Sequence, residues 1–488
     1  MTKQTNPGFN RRAMLTALGA GAVGLAGAGS AHAALLPEPE ARESYDVVII
    51  GSGMAGCAAA LEAASKGKRV VMLEKMQENR MGGNSLLAGG GFSLPLEDTQ
   101  SARDAYVEDY EDYCLGRGNS VIFKLMADNI VQDLGWLESH GIALNPPSPW
   151  PPSRVKMIIA APGFFAGMPS LFRRMKERLR EVGVALKFDT KARQLIVDET
   201  GKVAGVRAQT SRGIVDFRGD AVVIATGGYA GNTQMLEAYS DPNAGAMMVR
   251  GVTWATGDGL TIAQSAGAGL KGMGGLMALH IAAVDPVETA AGQPAAVVPH
   301  AVSINREGKR FIDESLGYVM HGKAVLNQPG QTTTLVFDDK GREKAGQGVI
   351  DTFNRLGLKV YRAETIAELA KELGAPVEEF VKTIDAFNAA TDGETAASLD
   401  PPKMKLAGKI DKAPFFAVHG LSPGITLTFG GIMINERAQV LEPDGRVIPG
   451  LFAAGEGAGH VFHHDYIGGG SLTNCLVMGR IAGREAAA

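Results

Sequence analysis

Three glycines in one short turn, Gly51, Gly53 and Gly56, and an acid at Glu74 are the residues of this chain whose types and spacing point most directly to chemistry. The turn, Gly51-Ser52-Gly53-Met54-Ala55-Gly56, follows the apolar run Tyr45-Asp46-Val47-Val48-Ile49-Ile50. Gly51 permits a tight turn and Gly53 lets backbone approach a pyrophosphate. Gly56 lets the following helix pack on the strand, with its N-terminus facing the negative charge. Glu74 ends a second apolar run, Val70-Val71-Met72-Leu73, about 20 residues further on, where a dinucleotide site needs a carboxylate for a ribose hydroxyl. The pattern is that of a dinucleotide-binding strand, turn and helix.

The elements that position such a turn follow along the chain. Ala192 to Val206 reads as two short strands around a Glu199-Thr200-Gly201-Lys202 turn, and Ala221 to Ala225 as a third strand ending in Thr226-Gly227-Gly228. A hairpin layer followed by a strand and a glycine turn is what FAD-binding relatives of the Rossmann fold place between their two halves. Helical patterns run over Thr365–Leu373 and Val377–Ala389, joined at Gly374-Ala375-Pro376. Pro401-Pro402 and the lysines after them read as a surface loop. At the C-terminus, Tyr466-Ile467-Gly468-Gly469-Gly470-Ser471-Leu472 opens an apolar helical pattern through Met478 to Ala482.

Composition bounds the function classes. The chain has 488 residues, with 48 Lys and Arg against 52 Asp and Glu and a formal net charge of -4, so nothing favours nucleic acid as a partner. Cys57, Cys114 and Cys475 are widely spaced and odd in number, which fits neither a disulfide framework nor a metal set. No Cys-x-x-Cys-His occurs, so the chain carries no attached c-type haem and electrons must pass to or from another molecule.

Residues 1–33 carry a different signal. Asn10-Arg11-Arg12-Ala13-Met14-Leu15 opens an Ala/Gly-rich run that closes at Ala31-His32-Ala33, a small-residue cleavage pattern. This resembles a twin-arginine signal peptide. Its reading is export of a folded protein by the twin-arginine machinery to the periplasm, with no stable membrane insertion of the mature chain.

After residue 44 nearly the whole chain resembles the soluble fumarate reductase, flavocytochrome c and 3-ketosteroid dehydrogenase flavoprotein superfamily. The resemblance rests on Gly82-Gly83-Asn84-Ser85 with Ala88-Gly89-Gly90, Ala225-Thr226-Gly227-Gly228, Ala255-Thr256-Gly257-Asp258-Gly259, Asn305 to Phe311, and Ala453-Ala454-Gly455-Glu456. It implies an α/β fold, a Rossmann-like FAD-binding domain over 44–276 and 427–488, with an inserted α+β cap over 277–426. It implies FAD contacts from Gly51, Ser52, Gly53, Ala55, Gly56, Glu74, Lys75, Gly82, Gly83, Asn84, Ser85, Gly89, Gly90, Ala192, Ala225, Thr226, Gly227, Asp258 and Glu456. The N-terminus of the last helix, through Ser471 and Leu472, would face the flavin pyrimidine ring. The membrane-bound relatives have a histidine before Gly82 that bonds covalently to the flavin. Gln77-Glu78-Asn79-Arg80-Met81 has none, which implies non-covalent FAD.

At the reactive positions the chain departs from the fumarate reductases. Tyr318 and Asp465-Tyr466 replace residues that include two arginines, Leu427 replaces a histidine, and only His280 matches. Losing two bidentate cations argues against a dicarboxylate substrate. The same positions resemble the 3-ketosteroid Δ1-dehydrogenases. By that resemblance Tyr466 and the Gly470 N–H would hold a ketone oxygen and Tyr318 would remove the neighbouring proton. Trp150, Phe164, Phe165, Met168 and Leu427 would line a pocket for a small apolar ketone.

The expected activity is FAD-dependent desaturation of a carbon–carbon bond beside a ketone, with electrons passed to a c-type cytochrome or quinone. An enone or enoate reductase fed by a cytochrome and a flavoprotein electron-transfer subunit are the alternatives.

Overall fold

The structure is a computed structural model and describes residues 37–150, 153–163, 166–282, 296–346, 348–355 and 359–488. The signal-peptide reading over 1–33 and the pocket residues Phe164 and Phe165 lie outside the described residues. Of His280, on the strand Leu276–Ala282, only the backbone is described.

The centre of the molecule is a six-stranded sheet in the order Gln439–Leu441, Val447–Ala453, Ala221–Ile224, Val47–Ile50, Val70–Leu73, Ala185–Lys187. All its pairings are parallel except that of Gln439–Leu441. Its middle strands are unbroken runs of buried residues, VVII at 47–50, VVML at 70–73 and AVVI at 221–224. Continuous apolarity of this kind suits a parallel strand covered on both faces.

The hairpin layer is larger than the sequence pattern shows. Lys191–Val197 and Val203–Thr210 are joined by Gly213–Arg218 and Ala41–Ser44 in one four-stranded sheet. The added strands alternate charged and apolar residues weakly, which hides them from a pattern search.

Two helices with small residues on their facing sides bring the ends of the chain together. Met54–Ser65 and Gly470–Ala486 approach so closely that a Cβ at Gly479 would lie 2.6 Å from the Ala55 carbonyl oxygen, and one at Gly483 2.3 Å from that of Ala59. Stepping four residues along each helix together makes them parallel. Because Gly479 meets Ala55, the later helix starts nine residues before that contact and the earlier one a single residue before it, so the later start lies about 12 Å beyond the earlier one on the N-terminal side at 1.5 Å per residue. Two helix N-termini are therefore staggered along one wall.

A second mixed sheet is organised on the long strand Phe415–Thr428, which pairs with Met248–Val249, Leu276–Ala282, Thr333–Asp338 and Val360–Ala363. The helices Ile366–Glu372 and Val377–Ala390 pack on it through Leu369, Phe380, Ile384 and Phe387, with Thr365 capping the first in a capping box. Phe415–Thr428 and Leu276–Ala282 pair with each other and each run through an expected boundary, at 426/427 and 276/277.

The loop after Pro401-Pro402 is not wholly a surface loop. Lys403 is buried, its Nζ donating to the Ala301 carbonyl oxygen at 2.9 Å and lying 3.5 Å from the buried Glu314 carboxylate. A carboxylate taken out of water needs paired cations, and Arg310 supplies the other at 3.0 Å. Among the described residues no helix is long and apolar enough to cross a membrane.

Candidate active site

The glycine turn works as its spacing implies. Gly51 has φ +103, and a Cβ there would lie 2.3 Å from the Ala225 carbonyl oxygen; a Cβ at Gly56 would lie 2.0 Å from that of Gly51. At Gly53 the nearest atoms to such a Cβ are 3.6 and 3.7 Å away. Packing thus demands the first and third glycines, while the second leaves its face open to the cleft.

Glu74 is buried where strand Val70–Leu73 ends. Its Oε2 accepts from the Ser52 N–H at 3.1 Å and the Ser52 hydroxyl at 2.6 Å, and its Oε1 from the Met76 N–H at 2.8 Å. The carboxylate therefore braces the turn from beneath as well as facing the cleft. Ser85 Oγ accepts from Met54 N–H at 3.3 Å, at the exposed start of the helix.

The cleft opens to solvent and holds about 210 Å³ of enclosed space. Its walls bring together Gly51, Ser52, Gly53, Ala55, Glu74, Lys75, Gly83, Asn84, Ser85, Ala192, Ala225, Thr226, Gly227, Asp258, Glu456, Tyr466, Ser471 and Leu472. Gly56, Gly82, Gly89 and Gly90 are not part of this lining. Gly56 is held against Gly51, and a Cβ at Gly82 would strike Leu86 and Phe172.

Asn84 fastens three segments: its Nδ2 donates to the Thr426 carbonyl oxygen at 3.1 Å and to Glu456 Oε2 at 3.2 Å, and its Oδ1 accepts from Val252 N–H at 2.7 Å. Burial pushes the Glu456 carboxyl above its ordinary range, against the hydrogen bonds from Thr428 N–H and Asn84. Lys75 and Asp258 line the cleft bonded to each other at 2.6 Å, with Lys191 3.1 Å from the other Asp258 oxygen. Burial would raise the Asp258 pKa, but Lys75 and then Lys191 outweigh it and hold the carboxyl below its ordinary value.

The Gly470 N–H has an acceptor within the chain. It donates to the Ile467 carbonyl oxygen at 3.0 Å, and a Cβ at Gly470 would lie 2.4 Å from the Tyr110 hydroxyl. The first turn of helix Gly470–Ala486 leaves the Ser471 and Leu472 N–H groups without intrahelical acceptors, and both residues line the cleft.

At the far end of the cleft Tyr466 neighbours Tyr318, which opens the helix Tyr318–Leu326. Burial, then Asp465, pushes the Tyr318 phenol up to about 12, while Tyr466 and the charge of Arg250 pull the other way. The Tyr466 phenol is raised well above its ordinary value by burial, then by Tyr318 and Asp465. Asp465 is itself pushed up to about 6 by burial. At neutral pH both phenols carry their protons.

Arg250, which the sequence reading missed, is buried in the cleft wall, its charge acting on both phenols. Burial brings its guanidinium down to about 10, and the two tyrosines oppose that fall. Its backbone N–H donates to the Ile425 carbonyl oxygen at 2.8 Å, beside the Asn84 junction. The signal was a lone cation in Met247-Met248-Val249-Arg250-Gly251-Val252, an otherwise apolar run. Excluding an anionic substrate for want of cations therefore loses its premise.

The expected pocket lining holds in part. Leu427 lines the cleft, Trp150 is 38 % exposed near Gly468, and Met168 is fully buried against Gly90. All three cysteines are free and buried.

Comparison with known proteins follows this geometry. The family model described as an FAD binding domain matches residues 46–472, and the chain belongs to that family. It is an FAD-dependent oxidoreductase with the mixed α/β fold of that group. Among its relatives, a fumarate reductase (cytochrome) of Shewanella frigidimarina is 29% identical over 93% of this chain and 79% of the relative. A urocanate reductase of Eggerthella lenta is 30% identical over 91% and 74%. A 3-oxosteroid 1-dehydrogenase of Mycolicibacterium smegmatis is 26% identical over 91% and 98%. The solved open conformation of a flavocytochrome c3 fumarate reductase matches 100% of this chain and 82% of its own, at 26% identity and a TM-score of 0.75.

The cleft suits FAD. An open glycine edge and a helix start lie at one end, a buried carboxylate stands at the adjoining strand end, and a second helix start lies about 12 Å further on.

Proposed function

We propose that the protein reduces a carbon–carbon double bond activated by a neighbouring carbonyl, an enone or enoate, with Tyr318 and Tyr466 supplying the proton. The observation that carries this reading is the pair of neighbouring phenols at the cleft end, Tyr466 on the cleft wall, with both held protonated. A general acid must carry its proton before the reaction, and burial that raises a phenol's pKa keeps it there. The relatives named as reductases support the same direction.

FAD, when bound, supplies the two electrons. It would be held non-covalently by the glycine turn, Glu74, Asn84, Ser85, Glu456 and the N–H groups of Ser471 and Leu472. The Tyr466 hydroxyl, on the cleft wall, donates to the substrate carbonyl oxygen, which draws charge away from the double bond. Tyr466 lowers the proton affinity of Tyr318 and Tyr318 raises that of Tyr466, so Tyr318 ionises first. Tyr318 therefore gives its proton to carbon while Tyr466 remains a donor. Residues 277–426 serve as the cap that excludes water.

Desaturation of a cyclic or steroid-like ketone is the second reading, favoured by tyrosines standing where the ketosteroid enzymes have theirs. In that direction the same groups act in reverse. The proton donor role does not extend to a carrier without a small-molecule substrate, since such a carrier needs no acid over its cofactor. Electrons come from a separate c-type cytochrome or quinone, and residues 1–33 direct export by the twin-arginine route to the periplasm.

Anaerobic mixing tests the reading. Protein reduced with dithionite is expected to regain its visible flavin absorption rapidly with one of a panel of enones and enoates. Bleaching of oxidised protein by a saturated cyclic ketone or 3-ketosteroid, with no response to any alkene, would instead establish the desaturase. Silence in both directions beside rapid exchange with a cytochrome would leave only the electron carrier.

A further inference from the structure

Tyr466 leaves a short, sharply bent segment. His464 has φ +64, in the left-handed region that a residue with a Cβ rarely adopts, and His460 four residues earlier has φ +65. Within the bend the Asp465 N–H donates back to the His463 carbonyl oxygen at 2.7 Å, and the Tyr466 N–H donates to Asp465 Oδ1 at 2.7 Å. A left-handed residue that is not glycine is held at a cost, and it persists where groups outside the bend hold it in place.

Two side chains from distant parts of the sequence do so. Lys323 lies on the helix Tyr318–Leu326; its Nζ donates to the His464 carbonyl oxygen and stands 5.8 Å from the centroid of the Phe429 ring. Phe429 in turn meets the Tyr466 ring with centroids 6.3 Å apart, and Phe462 meets it edge-on at 5.6 Å. Cys114 takes the bend on both sides of His464: its Sγ accepts from the His463 N–H at 3.3 Å and donates to the Asp465 carbonyl oxygen at 3.4 Å. The helix that opens on Tyr318 therefore reaches, five residues later, the backbone two residues before Tyr466.

We propose that Lys323 is a positioning residue: by gripping the left-handed bend at His464 it ties the segment that aims Tyr466 to the helix that carries Tyr318, and so fixes the placement of one phenol relative to the other. The effect on rate rests on the proposed reaction, whereas the effect on the bend does not. A lysine suits the task because its long stem lies along the Phe429 ring while its ammonium gives a charge-assisted bond to the carbonyl. Methionine keeps a stem of similar shape and removes the donor.

The test reads the bend and the rate separately. FAD-loaded full-length protein carrying 3-fluorotyrosine is examined by ¹⁹F NMR, with the Tyr466 resonance identified by its loss in Tyr466→Phe, and the reduced protein is mixed anaerobically with the best alkene. Lys323→Met is expected to shift or split the Tyr466 resonance and to lower the rate about tenfold or more at equal FAD content, since small misplacements of a reacting group cost rate on that scale. In a His464→Gly background, where glycine takes φ +64 without being held, the same Lys323→Met change is expected to cost no more than about threefold. His464→Val, whose branched side chain resists a positive φ, attacks the same bend from the other side and is the measured variant should Lys323→Met not load FAD.

An unmoved Tyr466 resonance, or a loss of equal size with His464 and with Gly at that position, would overturn the inference. So would a moved resonance with an unchanged rate while Tyr466→Phe is inactive. A moved resonance together with a fully active Tyr466→Phe would uphold the grip on the bend and sink the proton-donor reading on which its catalytic effect depends.

Discussion

At the phosphate end of the cleft, Gly51, Gly53, Gly56 and Glu74 lie on one strand–turn–helix–strand unit, and Glu74 finds its hydrogen-bond partners, Ser52 and Met76, within or next to that unit. At the other end Arg250, Tyr318 and Tyr466 come from three separate segments, and they meet only because Phe415–Thr428 carries the neighbours of Arg250 while helices start at Tyr318 and Gly470. The first end is a local structure that binds. The second is a tertiary assembly that sets proton affinity, and it can change its chemistry by single substitutions without disturbing the first.

Breaking the local end should have the largest effect. Gly56→Val places a branched side chain where even a Cβ meets backbone at 2.0 Å, and the expected outcome is no recoverable FAD-loaded protein, measured as the flavin to protein absorbance ratio. Tyr318→Phe and Tyr466→Phe should each lower the reductive rate about 100-fold or more with FAD content unchanged, since general acid–base groups contribute on that scale. Retention of the rate would move the chemistry elsewhere in the cleft.

Glu74→Gln should weaken FAD binding about tenfold, as expected for losing a charged hydrogen-bond partner, while leaving the rate of the loaded enzyme alone; equilibrium titration of apoprotein with FAD measures this. Asp258 gives the smallest effect. Its pKa is depressed in the folded state, so its pairing with Lys75 and Lys191 stabilises the protein above the unfolded value of 3.8 and is lost as pH falls through the folded one. Asp258→Asn should flatten the fall in melting temperature between about pH 5 and pH 3.

The same comparison explains what was legible from residues alone. The glycine turn, Glu74 and the strands 47–50, 70–73 and 221–224 were readable because each residue's reason is local. Helices 366–372 and 377–390 were readable from their apolar periodicity and the Gly374-Ala375-Pro376 break between them. Arg250 was not, because nothing within ten residues of it reveals that its side chain will face Tyr318 and Tyr466. The Gly470 N–H was assigned to a substrate oxygen because spacing identifies an amide but not its acceptor, and Ile467 occupies it. Lys403 looked solvated because its partner Glu314 lies on another segment.

The central claim is that Tyr318 and Tyr466 act as one proton-transfer unit. It is tested most directly by a double-mutant cycle on the anaerobic reaction with the best alkene, at equal FAD content. If the phenols work as a unit, the double Phe variant is no slower than the slower single variant, within about threefold. Losses that multiply, or a double variant near the wild-type rate, would contradict it.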